Sequence, residues 1–436
     1  MKVVVLGAGI IGVSTAWYLL EQGHEVTVVD RQKDAALETS FANGAQISVS
    51  FCEPWANAGA PLKVLKWLAR DDAPLLFRPK LDPHQWRWGL SFLLQCNDAA
   101  FERNVAQLVA LGRYSHESLK ALVAQTGIQY DRLERGILHF FSTQQEFDEG
   151  AAGAELMRHH GVDRRVLSRD EVLKVEPALQ GFANGIAGGT FTPSDESGDA
   201  RIFTQKLAQL CQQRGATFLY EHDIAGIDAA GGAVQSVRLR HLQTGEPRTL
   251  TADTFVAAMG SFTAPLLRPL CIYLNIYPAK GYSATLKLKR PEAASVASLL
   301  DDSRKIAISR LGDHVRIAGT AEMAGYDTSL DSATSRVRCQ ALIDRYEEVF
   351  PGVADTREPN FWTGLRPSTP TNVPYIGRSG KLANLWINAG HGTLGWTHGA
   401  GSGRALAELM SGLRPALDFG FCGEVPQAGT PRVAAA

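Results

Sequence analysis

The sequence predicts an α/β fold in which a Rossmann-like nucleotide-binding domain is discontinuous along the chain and receives an inserted α+β domain. An apolar strand, a glycine-rich turn, a helix and a second strand follow one another within residues 2–30. A second glycine-rich turn follows the apolar segment 385–389. Between the two turns, residues 270–320 alternate between apolar and polar side chains, which is typical of a half-buried sheet. These observations predict two sheet-based domains.

The unit at the beginning of the chain carries the strongest local signal. The strand is followed by GAGIIG at 7–12. Gly7 permits the tight turn out of the strand, Gly9 lets a pyrophosphate approach the backbone, and Gly12 allows the helix to pack closely on the strand. The N–H groups and the positive dipole end of that helix would face the phosphate. Asp30 closes the second strand and would accept both hydroxyls of an adenosine ribose.

These residues leave the identity of the dinucleotide open. The acid at position 30 favours an unphosphorylated ribose over NADP, but it does not separate NAD from FAD. The alternative is an ordinary βαβ unit with a glycine-rich turn and no ligand. The combination of strand, helix, stop glycine at position 23 and terminal carboxylate argues against that alternative.

Two further small-residue segments are candidates for ligand contacts. Residues 39–46 (TSFANGAQ) form a polar loop that suits a second phosphate or the edge of a cofactor ring, and a plain turn fits the composition equally well. Residues 390–395 (GHGTLG) repeat the GxGxxG spacing after a strand. Because no acid-capped strand follows, we expect a helix N-terminus that faces a polar ligand edge, not a second nucleotide site.

The composition indicates a large globular protein and excludes several classes. The 436 residues include 44 Lys and Arg against 45 Asp and Glu, a net charge of −1, and 45% are hydrophobic. This balance argues against a protein that binds nucleic acid through an overall basic surface. The apolar fraction excludes a wholly disordered chain, and the length predicts about two to three domains.

The cysteine pattern predicts a cytoplasmic protein without a metal site. The six cysteines are widely separated and form no CxxC pair, which excludes zinc ribbons and thioredoxin-type redox pairs. Scattered cysteines are typical of reduced thiols. The apolar run 3–6 is too short for a signal peptide, and no run reaches the roughly 18 apolar residues of a membrane-spanning helix.

Hydrophobic periodicity predicts the elements between the motifs. Helices are expected at 105–122, 144–160, 197–215 and 340–349. Strands are expected at 136–141, 254–259, 283–288, 315–319 and 385–389, with a β-meander over 224–258. Residues 362–370 are interpreted as a rigid, proline-rich segment.

Taken together, the motifs resemble those of the D-amino acid oxidase superfamily of FAD enzymes, and within it the bacterial D-amino acid dehydrogenases of the small-subunit type. The likeness covers nearly the whole chain and is carried by GAGIIG (7–12), ETSFANGAQIS (38–48), KGYSATL (280–286), FWTGLRPSTPTNVPYIG (361–377) and NLWINAGHGTLGWTHGAGSG (384–403). It implies an FAD-binding domain over 1–80, 145–268 and 360–420, a substrate-binding domain over 81–144 and 269–359, and a flexible tail over 421–436.

The resemblance implies the oxidation of D-amino acids to imino acids, which hydrolyse to 2-oxo acids and ammonia. The α-hydrogen would leave as hydride to the flavin, while the protein positions the two reactants. The electrons would pass to a respiratory, quinone-type acceptor. The implied FAD contacts are Gly7, Gly9, Ile10, Ile11, Gly12, Asp30, Arg31, Thr39, Ser40, Asn43, Gly44, Gln46, Ile224, Gly260, Gly390, Gly392, Thr393, Leu394, Gly395 and Thr397.

Three side chains match the substrate pocket of such enzymes. Arg366 matches an arginine that binds the substrate carboxylate in D-amino acid oxidases, Arg310 matches the carboxylate arginine of glycine oxidase relatives, and Tyr282 matches a pocket tyrosine. A guanidinium forms two parallel hydrogen bonds with a carboxylate, so either arginine would anchor an amino acid. The alternatives are a surface salt bridge for Arg310 and structural stacking for Arg366. His391 is assigned only to the flavin loop.

The resemblance also bears on how FAD is held and where the protein works. Residues 368–372 (STPTN) lack the cysteine of the covalent amine oxidases, so we expect noncovalent FAD. Lys63, Lys66 and Arg70 share one predicted helical face, and Trp86 and Trp88 follow. This pattern suits a peripheral contact with the inner membrane near quinone. An ordinary helix with snorkelling lysines is the alternative.

Other functions on the same residues stay open at this point. A glycine/sarcosine-type amine oxidase or a D-hydroxyproline dehydrogenase would share the fold and differ only in its pocket. An NAD-binding dehydrogenase would share the GxGxxG turn. A non-catalytic electron-transfer subunit would bind the nucleotide without turning over a substrate.

Overall fold

A six-stranded sheet carries the predicted nucleotide-binding unit. The structure is a computed structural model that describes residues 1–62 and 74–426. The strands pair across this sheet in the order β19 (Tyr375–Arg378), β20 (Leu385–Ala389), β13 (Thr254–Ala257), β1 (Lys2–Leu6), β2 (Glu25–Val29) and β9 (Thr217–Leu219). All neighbours are parallel except β19. Residues 3–6 are buried, as a central parallel strand requires.

A larger, nine-stranded sheet forms the second layer of the protein. Its strands pair in the order β18 (Asn360–Ser368), β14 (Tyr277–Lys287), β17 (His314–Met323), β16 (Ile306–Leu311), β15 (Ser298–Asp301), β5 (Ile137–Phe141), β7 (Gly188–Thr192) and β6 (Arg165–Ser168), while β4 (Leu75–Phe77) pairs with β17. Two smaller pairings join β3 (Gln46–Ile47) to β8 (Glu196–Ser197), and β10 (His222–Ala230), β11 (Ala233–His241) and β12 (Pro247–Leu250) into the predicted meander.

The helices cover the outer faces of the two sheets. The α-helices that lie wholly within the described residues are α1 (Ile10–Glu21), α2 (Pro83–Gln95), α3 (Asp98–Thr126), α4 (Gln144–His159), α5 (Arg169–Val175), α6 (Ala200–Gln213), α7 (Thr263–Leu267), α8 (Ala333–Val349) and α9 (Gly395–Met410). Helix α9 packs against both α1 and α3. A Cβ at Gly403 would lie 2.7 Å from the backbone of α1, and one at Gly401 would lie 2.5 Å from Ser115 of α3. These glycines therefore permit the close approach of the three helices.

The segment 362–370 differs from its interpretation as a rigid, proline-rich stretch. Most of it belongs to β18, where Pro367 pairs with Pro278 of β14. Because β18 is the edge strand of the large sheet, a proline without an N–H group is tolerated there.

Sheet membership also cuts across the predicted domain boundaries. The strands β6 and β7 lie inside the segment 145–268 that the resemblance assigns to the FAD-binding domain, yet β7 pairs with β5 of the large sheet and β6 pairs with β7. Strand β18 lies inside 360–420 and joins the same sheet. The cause is long-range strand pairing, which leaves no signal in local periodicity.

The predicted tail begins with a fixed segment. The N–H group of Cys422 donates to the carbonyl oxygen of Ile376 at 2.8 Å, and the N–H group of Arg378 donates to the carbonyl oxygen of Cys422 at 3.1 Å. Residues 421 and 422 are thus attached beside β19. Residues 427–436 lie outside the described residues.

Candidate active site

A cavity of about 660 Å³ lies between the two sheets. Its floor is formed by residues that follow the carboxyl ends of β1, β2, β13 and β20, the position where ligands bind in open α/β sheets. Its opposite wall is formed by residues of β14, β16, β17 and β18. The two sheets therefore enclose one site.

The N-termini of α1 and α9 both open on this cavity. Neither helix has a side chain that caps its N-terminus or an acidic residue in its first turn. The N–H group of Ile10 donates to Ser40 Oγ at 3.1 Å, whereas the next N–H groups of α1 have no side-chain acceptor among the described residues. Two uncapped helix N-termini fit a ligand with a pyrophosphate and a ring that gains negative charge when it is reduced, as FAD has.

Asp30 is fixed at the end of β2. Its Oδ2 accepts from the N–H group of Ala8 at 2.7 Å and its Oδ1 accepts from that of Gln32 at 2.8 Å. Burial raises the pKa of this carboxyl group, and the two N–H groups oppose the effect. The carboxylate retains lone pairs that face the cavity and suit ribose hydroxyls.

The predicted cofactor residues line the cavity with two exceptions, Gly12 and Gly390. A Cβ at Gly12 would lie 1.9 Å from the carbonyl oxygen of Gly7, so this glycine serves the predicted close packing of helix on strand. A Cβ at Gly390 would lie 2.8 Å from Thr369 Cγ2. Both glycines shape the floor without facing the cavity.

The loop 39–46 connects the floor of the cavity to the large sheet. Thr39 Oγ1 donates to the carbonyl oxygen of Leu365 at 2.9 Å, and Gln46 Nε2 donates to Ser298 Oγ at 2.9 Å. Asn43 Oδ1 accepts from the N–H group of Ala45 at 3.0 Å, which closes the turn. These bonds place Gly44 against Ala307, where a Cβ would lie only 3.3 Å away.

Two buried histidines lie at the second glycine-rich turn: His391 belongs to the turn, and His398 lies in the first part of α9. His391 lines the cavity, and its Nε2 has no hydrogen-bond partner among the described residues. His398 Nε2 lies 3.5 Å from Cys52 Sγ. Burial lowers the pKa of His398 to about 3 and holds that of His391 well below its usual range. Both imidazoles are therefore neutral at pH 7, and neither adds charge to the cavity.

Among the lysine and arginine side chains that line the cavity, two are neutralised by carboxylates. Arg31 pairs with Glu38 at 2.7 Å. Lys305 pairs with Asp302, which also bonds to His139 Nδ1 at 2.8 Å. Burial alone would raise the pKa of Asp302, but Lys305 and His139 outweigh it and hold that pKa well below its usual range.

Arg366 is the third such cation, and it has no carboxylate partner among the described residues. Its Nη1 donates to the carbonyl oxygen of Thr320 at 2.7 Å. A Cβ at Gly281 would lie 2.3 Å from Nη1, so the guanidinium lies directly over a glycine of β14. Burial and the charge of Arg338 lower the pKa of Arg366 to about 10, which leaves it protonated at pH 7.

Tyr282 belongs to the cavity wall, but its hydroxyl group points into the core on the α8 side of the large sheet. The hydroxyl donates to Glu322 Oε2 at 2.5 Å, and the ring lies 5.5 Å from the Arg338 guanidinium carbon. Burial and Glu322 raise the pKa of this tyrosine above its usual range. The contacts indicate a side chain that holds the wall in place.

Arg310 does not line the cavity. Its Nε donates to the carbonyl oxygen of Gly312 at 3.2 Å and its Nη1 to that of Pro291 at 3.0 Å. Side chains alternate along β16: Ala307 faces the cavity, whereas Ile306 and Ile308 pack in the core beneath α8. Position 310 shares the parity of the second group, so this placement does not support a carboxylate-binding role.

Several cavity residues carried no sequence signal. An apolar end of the cavity is lined by Trp55, Leu75 and Phe92, which we call the vestibule. The ion pair of Lys305 lies at another part of the wall. Gly281 belongs to the KGYSATL motif, but the resemblance assigns a pocket role only to its neighbour Tyr282. Strand pairing brings these residues together, and single-sequence periodicity does not show it.

Comparison with known proteins finds relatives that are similar to this chain over nearly its whole length. The D-amino acid dehydrogenase of Dechloromonas aromatica (strain RCB) is 50% identical over 421 residues, which cover 97% of this chain and 99% of that protein. The D-amino acid dehydrogenase of Methylobacterium nodulans is 44% identical over 418 residues, with 96% and 97% coverage.

Solved structures share the fold at lower identity. The glycine oxidase of Geobacillus kaustophilus superposes with a TM-score of 0.71 at 20% identity, covering 96% of both chains. The L-proline dehydrogenase of P. horikoshii gives a TM-score of 0.71 at 17% identity, covering 94% of this chain and 93% of that one. The family model described as DAO, FAD dependent oxidoreductase, matches residues 2–409. The chain therefore belongs to the DAO family of FAD-dependent oxidoreductases.

Proposed function

We propose that this enzyme oxidises D-amino acids to imino acids, which hydrolyse to 2-oxo acids and ammonia, and that it passes the electrons to a quinone-type respiratory acceptor. The observation that carries the substrate class is Arg366, a protonated guanidinium in the cavity wall without a carboxylate partner among the described residues. A partly buried cation without a counter-ion is costly, so a carboxylate ligand stabilises it. The relatives named D-amino acid dehydrogenases support the same class.

Arg366 orients the substrate as well as binding it. Its hydrogen bond to the carbonyl oxygen of Thr320 and its position over Gly281 fix the plane of the guanidinium. A carboxylate bound in two parallel hydrogen bonds would share that plane. The rest of the amino acid is then held between the sheet wall and the floor of the cavity, and the vestibule residues Trp55, Leu75 and Phe92 supply an apolar environment.

When it is bound, FAD supplies the two-electron acceptor that takes a hydride from the α-carbon. The residues of this chain that would hold it are the uncapped N-termini of α1 and α9, Asp30 and the loop 39–46. N–H groups at the start of α9 would stabilise negative charge on the ring when FAD is bound and reduced. Among the described residues no cysteine lines the cavity, which argues against a cysteinyl link to the flavin. The lowered pKa of His391 makes its neutral imidazole a weak base, so positioning provides most of the catalysis.

A dye-reduction assay on the purified holoprotein tests the proposal. We expect an artificial electron acceptor to be reduced with D-alanine and other D-amino acids, and not with the L-enantiomers. Glycine, sarcosine and the hydroxyproline isomers separate the proposal from related oxidases on this fold. Turnover of glycine or sarcosine alone would contradict the substrate class. Rapid oxygen consumption without added acceptor would contradict the quinone-type acceptor.

One helix face supports a peripheral contact with the inner membrane. Trp86, Leu90, Leu93 and Leu94 recur at helical spacing on α2, and all are exposed, Leu94 at 75%. The other face of α2 carries Phe92 into the vestibule. A lipid-soluble acceptor could therefore enter the cavity beside this helix.

The basic patch predicted at residues 61–80 does not share in this argument, because 63–73 lie outside the described residues. Within 1–62 and 74–426, no helix is long and apolar enough to cross a bilayer. Lys80 and Arg87 are exposed at the edge of the apolar face of α2. These cations suit the anionic headgroups of the inner leaflet.

Sedimentation with vesicles of mixed phosphatidylcholine and phosphatidylglycerol tests this contact. We expect the holoprotein to bind and the double variant Leu90→Ser, Leu94→Ser to bind at least about tenfold less. Leu242→Ser is the matched control, because Leu242 is a 50% exposed leucine after β11, in the meander. Equal binding by all three proteins would contradict the assignment of α2.

A further inference from the structure

Thr320 has a backbone conformation that its side chain disfavours. Its φ is +55°, in the left-handed region. A β-branched residue rarely adopts this conformation, because Cβ then crowds the backbone. Such strain is usually retained where it serves a site.

The strain arises from a β-bulge between β14 and β17. Lys280 pairs with Glu322 and Tyr282 pairs with Gly319, so Thr320 and Ala321 both oppose the single residue Gly281. Bulges of this form usually place a glycine at the left-handed position, where this chain has threonine.

The surroundings hold the bulge from both sides. The N–H group of Ala321 donates to the carbonyl oxygen of Pro74 at 2.7 Å. The Nη2 of Arg338 donates to the carbonyl oxygen of Ala321 at 3.0 Å. Neighbouring elements thus over-determine the conformation, which is the condition under which strain persists.

Two polar groups of Thr320, its carbonyl oxygen and its hydroxyl, lie close to the cavity at the bulge. Its carbonyl oxygen accepts from Arg366 Nη1 at 2.7 Å. Its hydroxyl is buried in a residue that lines the cavity, yet Oγ1 has no hydrogen-bond partner among the described residues. A buried hydroxyl without a partner costs free energy and calls for an explanation.

We propose that the Thr320 hydroxyl is a substrate ligand that donates a hydrogen bond to the carboxylate held by Arg366. The proposal rests on the proposed function, because it places a carboxylate beside that arginine. Thr320 then acts twice: its carbonyl group fixes the guanidinium, and its hydroxyl supplies a further donor to the same carboxylate. A hydrogen bond to a charged group is stronger than one between neutral groups.

Binding of propanoate to the holoprotein tests this role without turnover. The readout is the shift of the flavin absorbance bands, which gives a Kd. We expect Thr320→Val, which removes the hydroxyl and keeps the branched shape, to raise the Kd about tenfold. Thr320→Ser keeps the hydroxyl and should restore the Kd to within about threefold of the unaltered protein. Thr192→Val changes a buried threonine of the same sheet that does not line the cavity, so it should leave the Kd unchanged.

Ethylamine in the same titration identifies the group that the hydroxyl binds. We expect its Kd to be insensitive to Thr320→Val. Weaker ethylamine binding with unchanged propanoate binding would overturn the assigned partner, and unchanged binding of both would overturn the role altogether. A loss in Thr320→Val that Thr320→Ser does not restore would also overturn it, since shape would then be the cause.

The two proposals can fail separately. Propanoate is not oxidised, so its titration is independent of which amine the enzyme turns over. If D-amino acids prove not to be substrates and propanoate still binds through Thr320, the proposed substrate fails while the carboxylate site stands. If D-alanine is oxidised and Thr320→Val binds propanoate normally, the proposed substrate stands while the proposed role of the Thr320 hydroxyl fails.

Discussion

The floor and the sheet wall of the cavity are built in different ways. The floor consists of consecutive residues after β1, β2 and β20, so short segments such as 7–12 and 390–395 each supply a complete feature. The wall consists of single residues from β14, β16, β17 and β18, which strand pairing brings together. Motif spacing therefore locates the floor, whereas the wall depends on register.

The two regions also differ in the protonation state of their buried basic side chains. In the floor, burial keeps His391 neutral, and behind the floor it does the same for His398, which does not line the cavity. In the wall, Arg366 remains protonated with its pKa lowered only to about 10. Arg366 is the cavity-lining cation without a carboxylate partner among the described residues, so a substrate carboxylate has a defined direction in which to bind.

The largest effect is expected from Gly12→Ala in the floor. Its Cβ would lie 1.9 Å from a backbone oxygen that cannot move away without disrupting the turn at Gly7. We expect loss of bound FAD and poor folding, measured by the flavin-to-protein absorbance ratio of the purified protein. Gly89→Ala is the control, because a Cβ there meets nothing within 4 Å. A Gly12→Ala protein that is purified with its full content of FAD would show that close packing is not required at this turn.

In the wall, Arg366→Leu should lower kcat/KM for D-alanine by about 100- to 1,000-fold, because it removes a charge-assisted partner of the carboxylate. FAD content should be unchanged, which distinguishes the wall from the floor. Arg310→Leu is the matched control and should keep KM, since the bonds of Arg310 within the described part of the chain go to the carbonyl oxygens of Gly312 and Pro291, away from the cavity. Equal losses in both variants would contradict the distinction between the two arginines.

A smaller effect should follow Gly281→Ala. The added Cβ would lie within 2.3–2.5 Å of three atoms of the Arg366 guanidinium, which must move to accommodate it. We expect KM to rise about tenfold with FAD retained. Gly181→Ala meets nothing within 4 Å and serves as the control. An unchanged KM would indicate that the guanidinium tolerates displacement.

The smallest effect concerns His398, the neutral histidine that lies behind the floor. Burial lowers the pKa of His398 from 6.5 to about 3. The unfolded chain therefore binds a proton below about pH 6.5 that the folded chain refuses until about pH 3, so the free energy of unfolding falls as the pH drops through that window. His398 should account for about 2 kcal/mol of the loss between pH 7 and pH 5.

Urea unfolding with excess FAD at the two pH values measures this contribution. His398→Asn should remove it, so its stability should decline less steeply from pH 7 to pH 5 than that of the unaltered protein. Between pH 7 and pH 8 the two proteins should respond alike, because the histidine is neutral in both states there. An identical decline in both proteins below pH 7 would contradict the neutral, buried state.

Local sequence is sufficient for the elements whose residues are contiguous. The predicted strands at 136–141 and 385–389 are confirmed, because alternation and apolar runs are short-range signals. The proline-rich segment 362–370 was misinterpreted, because its status as an edge strand depends on a partner, β14, that lies far away in sequence. The pairing that joins β6, β7 and β18 to the large sheet across the predicted domain boundaries is long-range as well.

The candidate site divides in the same way. Local spacing and motif likeness pointed to Asp30 and the loop 39–46, and the structure gives these residues polar contacts at the cavity floor. Likeness alone offered two arginines, and strand parity separated them by turning Arg310 away from the cavity and Arg366 into it. Thr320 had no signal at all, because a bulge is a property of two strands in register.

The sequence by itself determined a nucleotide-binding turn, its acidic partner and a second glycine-rich turn, since each is a matter of residue type at short spacing. The tertiary structure decided which cation stands without a counter-ion, which tyrosine faces the core and which threonine is strained. Those properties depend on what lies across a strand or beneath a sheet. They arise only when residues distant along the chain share one cavity, where burial makes an unpaired charge or hydroxyl costly enough to require a ligand.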